Sequence, residues 1–358
     1  MISIFVALLA CAAGGVEVTI SNSEPRYDTT GKIMDCHDGN IRYDGGLYWL
    51  YCMAYGSCHN TGCASAECGG CLDHNISIYN SPNLTSGSWS YIADLLHMAD
   101  RIPGTYYRPK VIYNAATKKY VLWVNVLPRP GIPPPPPDFS KSSYLVAIAD
   151  APQGPFKIVK QNATTKWGEG GDFSLFVDDD VNKTGYIIYT SLAQQHSISI
   201  APLNYDYTES VPEKNSDFLP GTDHTGCFEA PALFKRKGVY YALLGPCSCF
   251  GKEGSDTWVF TASSPLGPYT EASNLGNAEH AQQNYVFEAP LANGETAYVW
   301  TGDRWKSTPD GEKGHDFQFW QPLNFSMASA IGPIAPLMSS TLLPSFTLDL
   351  KSGARIFV

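Results

Sequence analysis

Five stretches of this chain repeat one plan: a short apolar strand, a polar turn, then an aromatic-rich strand. They are GNIRYDGGLYWLY (39–51), RPKVIYNAATKKYVLWV (108–124), DFSLFVDDDVNKTGYIIY (172–189), EAPALFKRKGVYYALL (229–244) and NYVFEAPLANGETAYVW (284–300). The turns DGG, NAATKK, DDDVNKTG, KRKG and ANGE carry hairpin chemistry. A further strand pair follows several of them. AIADAPQGPFKI (147–158) and TASSPLGPYTEA (261–272) match almost position for position, and YNSPNLTSGSWSYIA (79–93) is a looser copy. Each unit therefore holds roughly four strands, and the units start at about 38, 108, 172, 229 and 282. Four-stranded antiparallel repeats without helical periodicity are propeller blades. The expected fold is all-β, a five-bladed β-propeller, since a two-sheet sandwich needs no five-fold recurrence. One domain over 20–358 accommodates it, with the proline run IPPPPPDF (132–139) as a surface loop.

Net charge is −10, which excludes nucleic acid and anionic membrane as natural partners. Charged residues are only 16 %, against 21 Tyr, 16 Phe and 8 Trp, a mix suited to sheets and to carbohydrate faces. The start, MISIFVALLACAAGG, reads as a signal peptide over residues 1–13, and no stretch is long enough to span a bilayer. Sequons at Asn75, Asn83, Asn162, Asn182 and Asn324 agree with a secreted, extracellular glycoprotein. Ten cysteines are present. Cys11 leaves with the signal. Cys52, Cys58, Cys63, Cys68 and Cys71 crowd an insert (52–71) rich in Gly, Ser and Asn, where disulfides are favoured over zinc. Cys247 and Cys249 form a second cluster, and the pairing is not deducible from sequence.

In CFEAPALF (227–234) a lone glutamate, Glu229, interrupts an apolar run. A carboxylate in such a strand is costly unless paired, hydrogen-bonded or held neutral at a site. In a propeller the innermost strand of each blade lines the axis, and its start opens at one mouth. The corresponding starts are Asp38, Arg108, Asp172, Glu229 and the pair Gln282/Gln283. Three are carboxylates, and Asp and Glu are poor strand residues. Converging carboxylates repel, so at least one pKa rises. One protonated and one ionised carboxyl are what glycoside hydrolysis needs. The acidic turn Asp178–Asp180 reads as solvated.

These motifs, in this order and spacing over about residues 30–325, resemble glycoside hydrolase family 43. The resemblance implies a five-bladed propeller and an inverting mechanism, with Asp38 as base, Asp172 as the residue that tunes the acid, and Glu229 as general acid. RPKVIYN (108–114), LFVDDD (175–180), FEAPALF (228–234) and TGDRW (301–305) are similar to the exo-β-1,3-galactanase branch. That branch has AHGG at blade 1, without the base Asp, and a Gln in blade 5 assigned that role. Here CHDG (36–39) keeps His37 and puts Asp38 in place of a Gly, and Gln282 matches the branch Gln better than Gln283. The branch also has Glu before RPK, where this chain has Tyr107. The substrate contacts implied are His37, Tyr107, Arg108, Gln283, Asp303 and Trp305. For His37, Arg108, Asp303 and Trp305 the structural readings are a buried hydrogen bond, a strand-end ion pair and blade packing.

The expectation is a secreted, monomeric glycoside hydrolase acting on plant or algal cell-wall polysaccharide, with β-1,3-galactan as the favoured type. It needs no cofactor and no metal ligand set is visible, although family members often carry an ion in the channel, so Ca2+ there is compatible with the resemblance. The alternative is a non-catalytic glycan-binding propeller.

Overall fold

The structure, a computed structural model, describes residues 15–56, 74–129, 138–163, 165–219, 227–325 and 343–352. The signal peptide, residues 132–137 of the proline run and all insert cysteines except Cys52 lie outside the described residues. Strands account for nearly all regular structure, and no described helix is long and apolar enough to cross a membrane.

Five antiparallel sheets form five blades. Their innermost strands are His37–Asp44, Gly104–Asn114, Gly170–Val177, Phe228–Arg236 and Gln282–Pro290, each the first strand of its blade in sequence. Blades 1 to 4 have four strands in simple meander order; blade 5 has three among the described residues. Each innermost strand packs against the next, and Gln282–Pro290 packs against His37–Asp44 to close the ring. The expected five-bladed propeller is observed, and the innermost strands begin within four residues of the starts expected from sequence. The near-identical tags of blades 2 and 4 prove equivalent in detail: Gly154–Pro155 and Gly267–Pro268 are both cis peptides.

The strands read as almost continuous apolar runs because each blade is covered on both faces. Successive side chains point to opposite faces of a sheet, so alternate residues serve alternate neighbours. Five clusters of buried apolar side chains result, one at each blade junction. Tyr51 and Leu122 meet between blades 1 and 2, Trp123 and Phe173 between 2 and 3, Ile188 and Leu233 between 3 and 4, Leu243 and Trp300 between 4 and 5. The fifth, between blades 5 and 1, also takes Val18 and Ile20 of strand Gly15–Ser21 and Phe346, Leu348 and Leu350 of strand Ser345–Lys351. These two strands pair with each other, joining the two ends of the described chain. Pairing starts at Gly15, ahead of residue 20. Just past it, the Asn22 side chain donates to Trp320 O (2.7 Å) and accepts from Trp320 N (2.9 Å), so its amide continues the edge of blade 5.

Two disulfides are formed among the described residues, Cys36–Cys52 and Cys227–Cys247. Cys52, grouped by sequence with the insert, is instead tied across its own hairpin to Cys36. The acidic turn also differs from expectation. Asp178 is buried, accepts from Lys235 Nζ (2.8 Å) and Tyr240 OH (2.6 Å), and so links blade 3 to blade 4.

Candidate active site

The starts of all five innermost strands share a feature that sequence did not reveal. Each carries a β-bulge at its mouth end, one extra residue relative to its partner strand: after His37, Tyr107, Gly170, Glu229 and Gln283. A bulge bends the strand, re-aims its side chains and leaves backbone groups unpaired. In three blades the first bulged residue holds a left-handed backbone: Asp38 (φ 59°), Arg108 (φ 50°) and Ala230 (φ 55°). For non-glycine residues such backbone costs about 1–3 kcal/mol and survives only where the surroundings enforce it. The next residue in blade 1 has to be Gly39, since a Cβ there would lie 2.0 Å from Tyr51 O.

The bulges correct one expectation. Asp38, Arg108 and Ala230 share one register, and Asp172 is the second bulged residue of blade 3. Glu229 lies one position earlier, in register with His37, Tyr107 and Gln283. The three carboxylates converge because the bulges turn them, not because they occupy identical positions.

The backbone groups freed by the bulges must find partners when buried, and the neighbouring blade supplies them. Lys110 Nζ donates to Asp38 O (2.6 Å) and Gly39 O (3.0 Å). Asn125 donates to Gly170 O (2.9 Å) and Tyr144 OH to Gly171 O (2.9 Å). Asp172 Oδ2 accepts from Ala230 N (3.1 Å), Gln283 donates to Ala230 O (2.7 Å), and Asp303 Oδ2 accepts from Asp38 N (2.8 Å).

Arg108 is the hub of this ring. Its Nε lies 2.9 Å from Asp172 Oδ1 and its Nη2 lies 3.8 Å from Asp38 Oδ1. Its Nη1 donates to Gln283 O (3.1 Å) and, at 3.4 Å, to Asn284 Oδ1. Burial opposes the charge on Arg108, but Asp172, Asp38 and Glu229 together hold it protonated, with its pKa above the ordinary value.

Glu229 is 9 % exposed. Four donors converge on its Oε1: Ser248 N (2.6 Å), Cys249 N (2.8 Å), Ser248 Oγ (3.3 Å) and Gln282 Nε2 (2.5 Å). Oε2 takes none of these and is left for a proton. Burial first, then the charge of Asp172, push the carboxyl up to about 7, against the pull of the Ser248 amide and Arg108. Gln282 is fixed at both ends, because its Oε1 accepts from Trp305 Nε1 (2.8 Å).

Asp38 is buried, with the Tyr55 hydroxyl donating to its Oδ2. Burial raises its pKa; Arg108 opposes this, and Asp303 adds to it. Asp172 is the most open of the three carboxylates, its side chain 23 % exposed.

Of the six expected substrate contacts, only Tyr107 is part-exposed. His37, Arg108, Gln283, Asp303 and Trp305 are all at most 3 % exposed. Like Asp38, at 2 % exposed, these five side chains are covered by protein in this structure. His37 lies 3.0 Å from Asp303 Oδ1 and 3.3 Å from Gly314 O. Burial works against its charge, yet Asp303, Asp35 and Asp316 raise its pKa to about 9, so it donates to both oxygens as an imidazolium. Asp303 also accepts from Asn284 Nδ2 (2.6 Å) and binds blade 5 to blade 1.

Sequence reasoning missed four parts of the site: Tyr55, Lys313, Phe250 and the amides of Ser248 and Cys249. Lys313 Nζ sits 3.6 Å above the Trp305 ring, 3.8 Å above Phe250 and 4.9 Å above Tyr55. Phe250 also lies beside Tyr107, ring centroids 6.1 Å apart. The only signal was GPCSCF, set apart as a cysteine cluster.

The family model described as glycosyl hydrolases family 43 matches residues 135–297, the span from late blade 2 into blade 5. Over that span, a little under half of the chain, it resembles glycoside hydrolase family 43. No curated protein sequence matches it. Among solved structures, an exo-β-1,3-galactanase from Clostridium thermocellum aligns with a TM-score of 0.73 at 22 % identity, over 94 % of this chain and 68 % of its own. One from Phanerochaete chrysosporium, solved with β-1,3-galactotriose, gives 0.72 at 23 %, over 94 % and 69 %. A family 43 β-1,3-galactosidase solved with galactodeoxynojirimycin gives 0.71 at 20 %, over 90 % and 99 %. At these identities the superpositions establish the propeller. The family match supports a glycoside hydrolase.

Proposed function

We propose that the protein is a secreted, monomeric hydrolase that cleaves β-1,3-galactan-type chains of plant or algal cell walls with inversion. One observation carries the reading: four donors converge on one oxygen of Glu229 while burial and Asp172 push its pKa up to about 7, so the carboxyl can carry a proton to deliver. Glu229 protonates the glycosidic oxygen as the bond to the anomeric carbon breaks. Asp38 takes a proton from the water that attacks the opposite face. The Glu229 carboxylate left behind is stabilised by the Ser248 and Cys249 amides. Asp172 sets the acid's pKa through its charge, and Gln282 orients it. The amide of Gln282 is engaged at both ends, which favours Asp38 over Gln282 as base.

The galactan preference rests on the likeness to galactan-active propellers. Secretion is supported by two disulfides, which persist in oxidising compartments. The sequon asparagines Asn75, Asn162, Asn182 and Asn324 are exposed, as glycosylation requires.

The test is sugar release from β-1,3-galactan, arabinogalactan, arabinan and xylan by the full chain beside Glu229→Gln. Galactose released by the native protein alone, appearing first as the α-anomer by proton NMR, is the expected result. Glycan binding without cleavage would establish the binding propeller instead. A first-formed β-anomer would overturn the mechanism.

A further inference from the structure

The chain that holds Glu229 in place is the loop Cys247–Gly251, directly after strand Val239–Pro246. Two of its backbone amides grip Oε1, and its Phe250 ring packs against Trp305 (5.0 Å) and Tyr55 (5.6 Å). The loop is not in a conformation it would keep unaided. Cys249, one of the two amide donors, has a left-handed backbone, φ 47°. What pins the loop is the Cys227–Cys247 disulfide. Cys247 immediately precedes Ser248, and Cys227 lies two residues before Glu229. Cys247 N also donates to Cys227 O (3.0 Å). The staple therefore brackets both the acid and its donors. It is half-buried, whereas both sulfurs of Cys36–Cys52 are buried. His196 Nδ1 stands 3.0 Å from Cys227 Sγ.

We propose that Cys227–Cys247 is a positioning device for Glu229 and a redox-sensitive control on the site, an inference that rests on the general-acid role proposed above. A dithiol opens it in a balanced exchange. The S–S bond breaks, Cys227 and Cys247 each gain a proton, and the dithiol is oxidised to its own disulfide. With the anchor gone, the loop relaxes from the strained turn at Cys249 and withdraws the Ser248 and Cys249 amides. Glu229 then loses its orientation and two donors that favour its ionised form.

The experiment is limited reduction of the full chain by dithiothreitol, with alkylation and mass mapping to confirm that Cys227 and Cys247 open while Cys36–Cys52 stays closed. The double variant Cys227→Ser/Cys247→Ser runs beside it. With the reading above intact, kcat on galactan falls at least about tenfold, because small misplacements of a reacting group are costly. KM changes by less than kcat, since the loop reaches the expected sugar contact Tyr107 only through the Phe250 ring. The alkaline limb of the pH profile moves upward, and all three effects reverse on reoxidation. Unchanged kcat and pH profile, with only a lower melting temperature, would reduce the disulfide to a structural staple and overturn the proposal. Should the double variant not fold, the reversible reduction decides. Should the native protein cleave no glycan, the general-acid reading fails. The positioning claim is then judged from carbon-13 titration of the Glu229 carboxyl, assigned with Glu229→Gln, where identical curves before and after reduction would refute it.

Discussion

Asp172→Asn isolates the charge that tunes the proposed acid. Asp172 raises the Glu229 pKa by repulsion, second only to burial, and it also occupies Arg108 at 2.9 Å. The substitution removes one negative charge and frees a guanidinium, and both changes favour ionised Glu229. At an effective dielectric of about 20, two unit charges about 8 Å apart interact by ~2 kcal/mol, or about 1.5 pH units. Arg108 already screens part of this, so a net fall of about one unit is expected. A general acid works protonated, so activity is lost as pH rises through its pKa. The alkaline limb of kcat/KM should therefore lie near 7 in the native protein and about one unit lower in Asp172→Asn. The assay is initial rate on β-1,3-galactan from pH 4 to 9, with Asp138→Asn as a surface control. A limb that stays put, or moves upward, would refute the assignment of Asp172 as the tuning charge.

Glu229→Gln should change stability as well as activity. The folded pKa of about 7 exceeds the ordinary 4.5, so the folded state holds the extra proton between these values and stability falls as pH rises through that window. The variant should lose that fall, and urea titrations at pH 4.5 and 8 should show it gaining up to ~3 kcal/mol on the native protein at the higher pH. Lys313 works in the opposite sense. Burial lowers its pKa to about 8, so native stability should gain between pH 8 and 10.5, and melting curves of Lys313→Met should lack that gain. Asp303→Ala strips His37, Asn284 and the Asp38 amide of their common acceptor and should cost about 3–5 kcal/mol in urea unfolding.

The blades were legible because each is a local object. Hairpin turns such as DGG and KRKG sit between short apolar runs, and two-faced burial writes itself as runs like LYWLYCM. The site was legible in outline for a similar reason. A carboxylate inside an apolar strand, as at Glu229, needs a special environment, and the order of the repeats put Asp38, Asp172 and Glu229 at one mouth. The roles beneath them were not legible. Gln283 and Arg108 at strand starts, and Asp303 in the GDRW motif, were read as sugar contacts on the strength of the family resemblance. They are polar because neighbouring bulges expose backbone groups that need partners, and a bulge is a property of two paired strands.

Sequence alone thus determined the five-fold plan, the starts of the innermost strands to within four residues and the carboxylates that stand near those starts. Each depends on residues close together in the chain. Tertiary structure decided which oxygen of Glu229 is held and which is left for a proton, and that Cys52 pairs with Cys36 and Cys227 with Cys247. It also decided that Lys313 rests on the rings of Trp305, Phe250 and Tyr55. Those outcomes depend on distances between groups from different blades, fixed only when the ring closes.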